Sequence, residues 1–515
     1  MLSIRLTPGG DAPAILALPV LATSDEDGLG MSVAPPVSGS TPVRTGRVIR
    51  TVVDLDDGTA AEIEALLADR EHSGRAGLVH QLPRPLRTPH RLLLVGIGDG
   101  DEAGWRAAGA AIVRAADRDT EVTIALPPDA DPSAVRGLAE GGLLARYRYR
   151  LADIDEDSAP KLATVLVAVS EPTGYAQELS DAQAMAGAIL LARDLVNTPS
   201  ELKTPAWFAT QITEAATGRN GLTVTVREPD YLRAEGFGGL LAVGGGSARG
   251  PRLVEIAWHP PGATGPHVVL VGKGITFDTG GIDLKPRDSM KLMRKDMAGA
   301  AAVAAATLGA AALGIPVRVT TLTPLAENAV SGSAYRPGDV IRHYSGLTSE
   351  IYNTDAEGRV VLADALGYAV THLAPDFLID VATLTGAASV ALGKRTAALY
   401  AGSDELAGAL AEAAATAGER VWRMPLVDDY VPALDAEVAD LSNSTDIGAG
   451  SILAALYLRE FTGDRRDRWA HLDMSAPAWS DAVDGELSKG ATGWGVRTLI
   501  RWLDVLGRVP VPADQ

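Results

Sequence analysis

No cysteine occurs in the 515 residues, which removes disulfide frameworks, thiolate nucleophiles and cysteine zinc sites and leaves a metal only oxygen and nitrogen ligands. The absence also fits a reducing, cytoplasmic setting. Basic charge is scarce: 46 Lys and Arg against 65 Asp and Glu give a net charge of −19 and a pI near 4.9. Nucleic acid and anionic membrane, both of which attract basic surfaces, are therefore not expected partners. Long hydrophobic runs are missing as well. The longest apolar stretch, residues 298–315, is mostly alanine with one threonine and three glycines, short of the roughly 20 strongly apolar residues of a membrane span. It reads as a buried helix. The apolar run at 14–22 is broken by Pro19 and preceded only by Arg5 as a basic residue, so it reads as a strand and not as a signal peptide. Familiar catalytic patterns are missing too, since neither H-E-x-x-H nor a Ser-His-Asp pattern is evident, and His471 reads as structural. Gly244-Gly245-Gly246-Ser247 lacks the G-K-[ST] of a phosphate loop, and Gly96-Ile97-Gly98-Asp99-Gly100 has the wrong spacing, and an acidic residue, for a dinucleotide loop. Both read as turns.

What is present is the composition of a globular protein, 46% hydrophobic and 22% charged, long enough for two domains. Short β-rich runs at 92–95, 122–126 and 165–169 alternate with a helical stretch at 103–116. Further runs at 253–258 and 268–271 precede the alanine-rich helix. This alternation predicts an α/β protein with a smaller N-terminal α/β domain and a larger C-terminal α/β catalytic domain, whose mixed central sheet is flanked by helices. The expected division is 1–170 for the first domain, 171–196 for a connecting helix and 197–515 for the second. Residues 509–515 read as a loose tail.

The densest chemistry lies in Asn353-Thr354-Asp355-Ala356-Glu357-Gly358-Arg359. Read as an extended segment, it projects Asp355, Glu357 and Arg359 from one face at about 6.6 Å spacing, a span that suits two metal ions roughly 3.5 to 4 Å apart. Gly358 lets a ligand or second backbone approach. A second dense segment runs from Val271 to Pro286 and contains Lys273, Asp278 and Lys285. It follows a predicted strand, where α/β proteins place their ligand sites. Asp296 stands at the start of the alanine-rich helix, a position favourable to a carboxylate.

Together Lys273, Asp278, Asp296, Asp355 and Glu357 resemble the five metal ligands of the leucyl aminopeptidase family, the dinuclear metallopeptidases of family M17. Seven of the eight positions of the family octapeptide N-T-D-A-E-G-R-L are matched, with Val360 in place of the leucine. Further matches lie at 271–286, 295–300, 335–339, 380–387, 469–473 and 490–497, so the resemblance covers about 190–502 and only weakly the first 165 residues. Ala298 departs from the family, which commonly has glycine there. The resemblance implies two divalent ions per subunit, zinc or manganese, with Asp278 and Glu357 bridging, Asp355 completing one site and Lys273 with Asp296 the other. It casts Lys285 as the cation facing the tetrahedral oxyanion and Arg359 as the holder of a bicarbonate general base. Met293, Asn353, Thr383, Leu384 and Gly386 match the pocket for the first side chain and imply leucine-like residues. Peptides with a free N-terminus, a homohexamer and a cytoplasmic location complete the implied picture. A di-metal phosphoesterase and a DNA-binding N-terminal domain are the competing readings.

Overall fold

Alternation of strand and helix carries through into the fold. The computed structural model describes residues 2–10, 13–23, 45–152, 159–263 and 265–508; the expected tail at 509–515 lies outside them. By contact the chain forms two units, Met1–Ala186 with Ala482–Ser488, and Gly187–Asp481 with Lys489–Gln515. The boundary falls inside one continuous helix, Ala176–Asn197, not at 170/171 or 196/197, and a late segment joins the first unit. Nothing in the composition of 482–488 signals that return. Among the described residues no helix is long and apolar enough to cross a membrane.

The first unit contains β1 (Ser3–Pro8), β2 (Ile15–Thr23), β3 (Thr45–Val48), β4 (Val79–Pro83), β5 (Arg91–Gly98), β6 (Glu121–Ala125) and β7 (Thr164–Val169) in one sheet of order β1-β7-β6-β2-β5-β4, with β3 beside β2. The run at 14–22 is thus a strand, parallel to both β5 and β6. Helices Asp57–Asp69, Glu102–Ala115 and Pro132–Ala145 each begin behind an aspartate, Asp56, Asp101 or Asp131, whose carboxylate accepts a first-turn backbone N–H. That bond satisfies one of the donors a helix start leaves open. Of the expected turn at 96–100, residues 96–98 end β5 and only 99–100 turn; the glycines serve packing, since a Cβ on Gly96 would lie 2.0 Å from the Arg75 carbonyl oxygen.

The second unit carries β8 (Leu222–Arg227), β9 (Arg252–Trp258), β10 (His267–Gly272), β11 (Gly274–Asp278), β12 (Arg318–Asn328), β13 (Val340–Arg342), β14 (Thr348–Glu350), β15 (Phe377–Ala382), β16 (Thr396–Ala401), β17 (Arg420–Arg423), β18 (Leu441–Ser442) and β19 (Trp469–Asp473). Its nine-stranded sheet has the order β17-β16-β19-β15-β10-β12-β9-β8, with β11 beside β12. The centre is parallel, since β10 pairs in parallel with β12 and β15, and β15 with β19. Antiparallel pairs β9–β12, β8–β9 and β16–β19 make the sheet mixed. Buried on both faces, the central strands read as unbroken apolar runs such as Val268-Val269-Leu270-Val271, all inaccessible. Helix Ala298–Ala312 packs behind them, buried at every position from 298 to 310. Alanine suits this place, being the best helix former and small enough to bring a helix close to a sheet. A separate three-stranded sheet, β13-β14-β18, supports the segment that follows β14.

Candidate active site

The C-terminal ends of the parallel strands converge on one place, the expected location for a ligand in an open α/β sheet. Lys273 follows β10, Asp278 ends β11, Asn328 ends β12, Thr383 follows β15 and Asp473 ends β19. Asp355 and Glu357 arrive from the loop before helix Glu357–Tyr368. The structure corrects the extended reading of that heptapeptide. Residues 354 and 355 form a turn, Ala356 caps the helix with φ −100° and ψ 36°, and Glu357 and Arg359 stand in the first helical turn. Burial decides the outcome: helix 357–368 is buried along its whole length, and the 360–366 run, apolar except for Asp364, gains more packed as a helix in the core than as an edge strand.

Four carboxylates meet two lysines here. Lys273 Nζ lies 3.0 and 2.9 Å from the two Asp296 oxygens and 2.8 Å from Glu357 Oε1, and donates to the Thr383 carbonyl at 3.1 Å. Lys285 Nζ lies 2.7 Å from Asp278 Oδ2 and also contacts Asp355 Oδ1. Asp278 Oδ1 accepts from Gly280 N–H and from Asn328 Nδ2–H, both at 2.8 Å. Thr383 Oγ1 donates to Asp296 Oδ1 at 2.8 Å. The expectation that Asp296 serves its helix start is therefore corrected. Met297, with no side-chain capping bond, is the N-cap, and the Asp296 carboxylate turns to Lys273 and Thr383.

Charge balance in this space is lopsided, because Asp278, Asp296, Asp355 and Glu357 against Lys273 and Lys285 leave a formal excess of two negative charges. Burial, then repulsion from Glu357 and Asp296, pushes the Asp278 carboxyl well above its ordinary range. Burial lifts Asp296 to about 6 against the pull of Lys273, and burial with Glu357 raises Asp355. For Glu357 burial also acts upward, but Lys273 and Lys285 outweigh it and hold its pKa below the ordinary value. Desolvation works against both ammonium groups, yet the surrounding carboxylates keep Lys273 and Lys285 above the usual lysine value. Glu357 Oε2 is buried without a hydrogen-bond partner among the described residues. Ligand atoms of Asp278, Asp355 and Glu357 lie within 4.8 Å of one another, a donor set of hard oxygens suited to divalent cations.

Glycines make the close approaches possible. A Cβ on Gly358 would sit 2.4 Å from Lys273 Cε and 2.7 Å from its Nζ, so the glycine admits a lysine side chain, not the ligand or backbone expected. At Gly299 a Cβ would meet the Val381 carbonyl oxygen at 2.1 Å. The neighbouring Ala298 is accommodated at 4% exposure; the position intolerant of a methyl is 299.

Arg359, 8% exposed, donates from Nη1 to the Asn443 carbonyl at 2.8 Å, while its Nε has no partner among the described residues. Burial pulls its pKa below the ordinary arginine value. Of the expected pocket residues, Met293 heads the short 3-10 turn that delivers Asp296. Leu384 N–H donates to Asp473 Oδ1 at 3.1 Å, and Gly386 opens helix Gly386–Leu392 with open space on its Cβ side. Asn353 Oδ1 accepts from Asp355 N–H at 2.7 Å. Sequence reasoning passed over Asn328, Asp283 and Asn443. Asp283 Oδ2 accepts from Thr354 N–H at 2.7 Å and ties the 278–286 loop to the 353–359 loop. For Asp283 the available signal was its place inside the 271–286 segment, whereas Asn328 and Asn443 stand outside every matched segment.

A Ser-His-Asp array is also present, which the sequence did not disclose. His343 lies 3.1 Å through Nδ1 from Asp364 and 2.9 Å through Nε2 from Ser349 Oγ. Ser349 and Asp364 are inaccessible and His343 is 2% exposed, and Ser349 Oγ is engaged by Tyr457 OH at 2.7 Å. Substrate has no approach to this hydroxyl, so the array is structural. His471 is likewise buried, 2.5 Å from Asp380.

Comparison with known proteins agrees with this construction. The family described as "Cytosol aminopeptidase family, catalytic domain" matches residues 190–500, and its N-terminal domain matches 44–151, extending the likeness into the region the motifs covered weakly. A probable cytosol aminopeptidase of Micrococcus luteus is 44% identical, covering 87% of this chain and 92% of its own. One from Streptomyces coelicolor is 41% identical with 97% of both covered. Among solved structures, the bottromycin maturation enzyme BotP in complex with Mn has a TM-score of 0.80 at 38% identity, covering 96% of this chain and 100% of that one. A tomato leucine aminopeptidase mutant has a TM-score of 0.81 at 28% identity, with 98% and 97% covered. With its strand-end cluster of carboxylates and lysines, and with both domains matched, the chain belongs to the cytosol aminopeptidase family and is a peptidase hydrolase.

Proposed function

We propose that the protein removes N-terminal residues, preferably leucine-like, from peptides by means of a dinuclear metal centre. The observation that carries the reading is the set of four largely buried carboxylates in direct contact with only two lysines, a formal excess of two negative charges, with Glu357 Oε2 lacking a hydrogen-bond partner among the described residues. An arrangement this costly in a low-dielectric interior is relieved by added cations. Asp278, Asp296, Asp355, Glu357 and the neutral amine of Lys273 would hold two divalent ions. Such ions polarise a carbonyl and lower the pKa of bound water from 15.7 towards about 7.

The remaining roles fall to the chain's own residues. Lys285, anchored between Asp278 and Asp355, is placed to offer its ammonium to the oxygen of the scissile carbonyl as charge develops there. Arg359, with a buried Nε left over, offers a planar fork to a bicarbonate acting as general base. Met293, Asn353, Thr383, Leu384 and Gly386 shape the pocket for the first side chain. Lys273 must shed its proton to act as a ligand; for an ordinary lysine, at 1.36 kcal/mol per unit from a pKa of about 10.4 to pH 7, this costs roughly 4.6 kcal/mol, and the surrounding carboxylates, which hold Lys273 above that value, make the cost larger until cations displace the proton. Metal uptake therefore releases a proton and weakens as pH falls. A homohexamer and a cytoplasmic location belong to the same reading.

The test is to strip metal with a chelator, restore zinc or manganese separately, and assay leucine p-nitroanilide with wild type and Asp355→Ala. Activity should vanish on stripping, return with metal in the wild type and stay absent in the variant. Full activity after complete stripping overturns the dinuclear reading, and cleavage of phosphate esters in place of anilides transfers the site to phosphoester chemistry.

A further inference from the structure

Asn443 lies outside every motif of the site yet touches two of its parts, Asn353 and Arg359. It follows β18 and is wholly inaccessible. Its backbone N–H donates to the Glu350 carbonyl at 3.0 Å, continuing the parallel pairing of β14 with β18. On the β18 side the strand pairing stops there, while Ile351 stays bonded to Gly338 and Asp339 on the other side, and the Asn443 side chain takes over the pairing of 352 and 353. Its Oδ1 accepts from Tyr352 N–H at 2.8 Å and Asn353 N–H at 3.1 Å, and its Nδ2 donates to the Asn353 carbonyl at 2.7 Å. Its own carbonyl accepts from Arg359 Nη1 at 2.8 Å. Asn353 passes the constraint on, since its Oδ1 accepts from Asp355 N–H at 2.7 Å.

We propose that Asn443 is a positioning residue that fixes Arg359 and the Asn353–Asp355 loop in one register, so that the anion held by the guanidinium and the carboxylate of Asp355 face the same substrate carbonyl. The inference rests on the roles given to Arg359 and Asp355 above. An amide is the group this position needs, because it accepts two bonds and donates others from one short side chain. Aspartate keeps the acceptors and loses the donor, and alanine loses both. Holding one guanidinium nitrogen on a fixed carbonyl leaves the remaining fork aimed in one direction, the condition for bidentate recognition of a planar anion. Small displacements at such a position, even without contact to substrate, cost rate through lost orientation.

A double-mutant cycle on the metal-loaded enzyme tests the coupling. The kcat for leucine p-nitroanilide is measured for wild type, Asn443→Ala, Arg359→Ala and the double variant, with metal content and melting temperature recorded for each. The expected result is that Asn443→Ala lowers kcat by about tenfold or more in the wild type and by less than about threefold when Arg359 is already alanine, the non-additivity of residues that act as a unit. Equal losses in the two backgrounds overturn the proposal. Where Asn443→Ala proves too unstable to load with metal, Asn443→Asp, which retains the acceptors for Tyr352 and Asn353, is put through the same cycle with the same criterion. Bicarbonate titration of the wild type in CO2-depleted buffer separates the two ideas: a rate indifferent to bicarbonate removes the base assignment for Arg359, whereas the cycle still decides whether Asn443 acts through that side chain.

Discussion

Two of the buried polar clusters in the larger unit are built on opposite terms. Around His343 every major group is answered: Asp364 accepts from the Leu240 and Tyr344 N–H groups at 2.8 and 3.0 Å as well as facing His343, and Ser349 and Tyr457 close the other end. Around Lys273 and Lys285 the carboxylates outnumber the two lysines and Glu357 Oε2 has no hydrogen-bond partner among the described residues. The first cluster has the partners of a hydrolase triad and no access. The second has no familiar triad and an unmet demand for positive charge. A satisfied network rigidifies a core, whereas a buried group left unsatisfied persists only where something else repays the strain. Residue identity alone therefore misleads, and satisfaction and access distinguish the site from the scaffold.

The largest effect should come from the unsatisfied cluster. Asp278→Asn should lower kcat/KM for leucine p-nitroanilide by about 10³-fold or more, since several kcal/mol of charge stabilisation are at stake at 1.36 kcal/mol per tenfold. Its metal-free melting temperature should fall less than that of His343→Ala. A drop in stability as large as that of the His343 variant would erase the distinction between the clusters. Gly358→Ala comes next: a methyl 2.4 Å from Lys273 Cε displaces the amine, and metal affinity should fall by about 10- to 100-fold, the range for disturbed support of a ligand, as read by metal titration. His343→Ala should destabilise by about 3 kcal/mol in denaturant, because it strips a buried carboxylate of a partner. Its kcat per folded, metal-loaded molecule should stay within about twofold of wild type, as expected for a substitution that touches no reacting group.

The smallest effect is a pH dependence. Burial acts to lower the pKa of His471, but the Asp380 carboxylate outweighs it and the pKa lies above the ordinary value. A histidine raised in the folded state contributes stability that is fully present below its unfolded pKa of about 6.5 and is lost as pH rises through the folded value. His471→Gln should thus lose more stability relative to wild type near pH 5.5 than near pH 9, measured by urea melts at both. An equal loss at both pH values would show that His471 is neutral throughout.

Much of this was legible in one dimension. The central strands announced themselves as apolar runs, the alanine-rich helix by composition, and the metal-site candidates by ordered motifs, because those features depend on neighbours within a few residues. The conformation of 353–359 was misjudged from its spacing, since an alternating D-x-E-x-R is equally compatible with a strand and with a helix start. Asn443, 90 residues beyond Asn353, gave no signal because its role lies in a side chain substituting for a missing strand. Ser349, His343 and Asp364 escaped for a related reason, as their order in the chain bears no relation to their bonding.

By itself the sequence determined the α/β class and the oxygen and nitrogen character of any metal site, since composition and periodicity are properties of the chain, and the family resemblance carried by its motifs supplied the candidate ligands. Only the tertiary structure decided that four carboxylates and two lysines share one buried space, that Gly358 exists to let Lys273 pass, and that a triad-like array is sealed in the core. Those outcomes follow from burial and from charges separated in sequence, which acquire their energies only when folding removes water from between them.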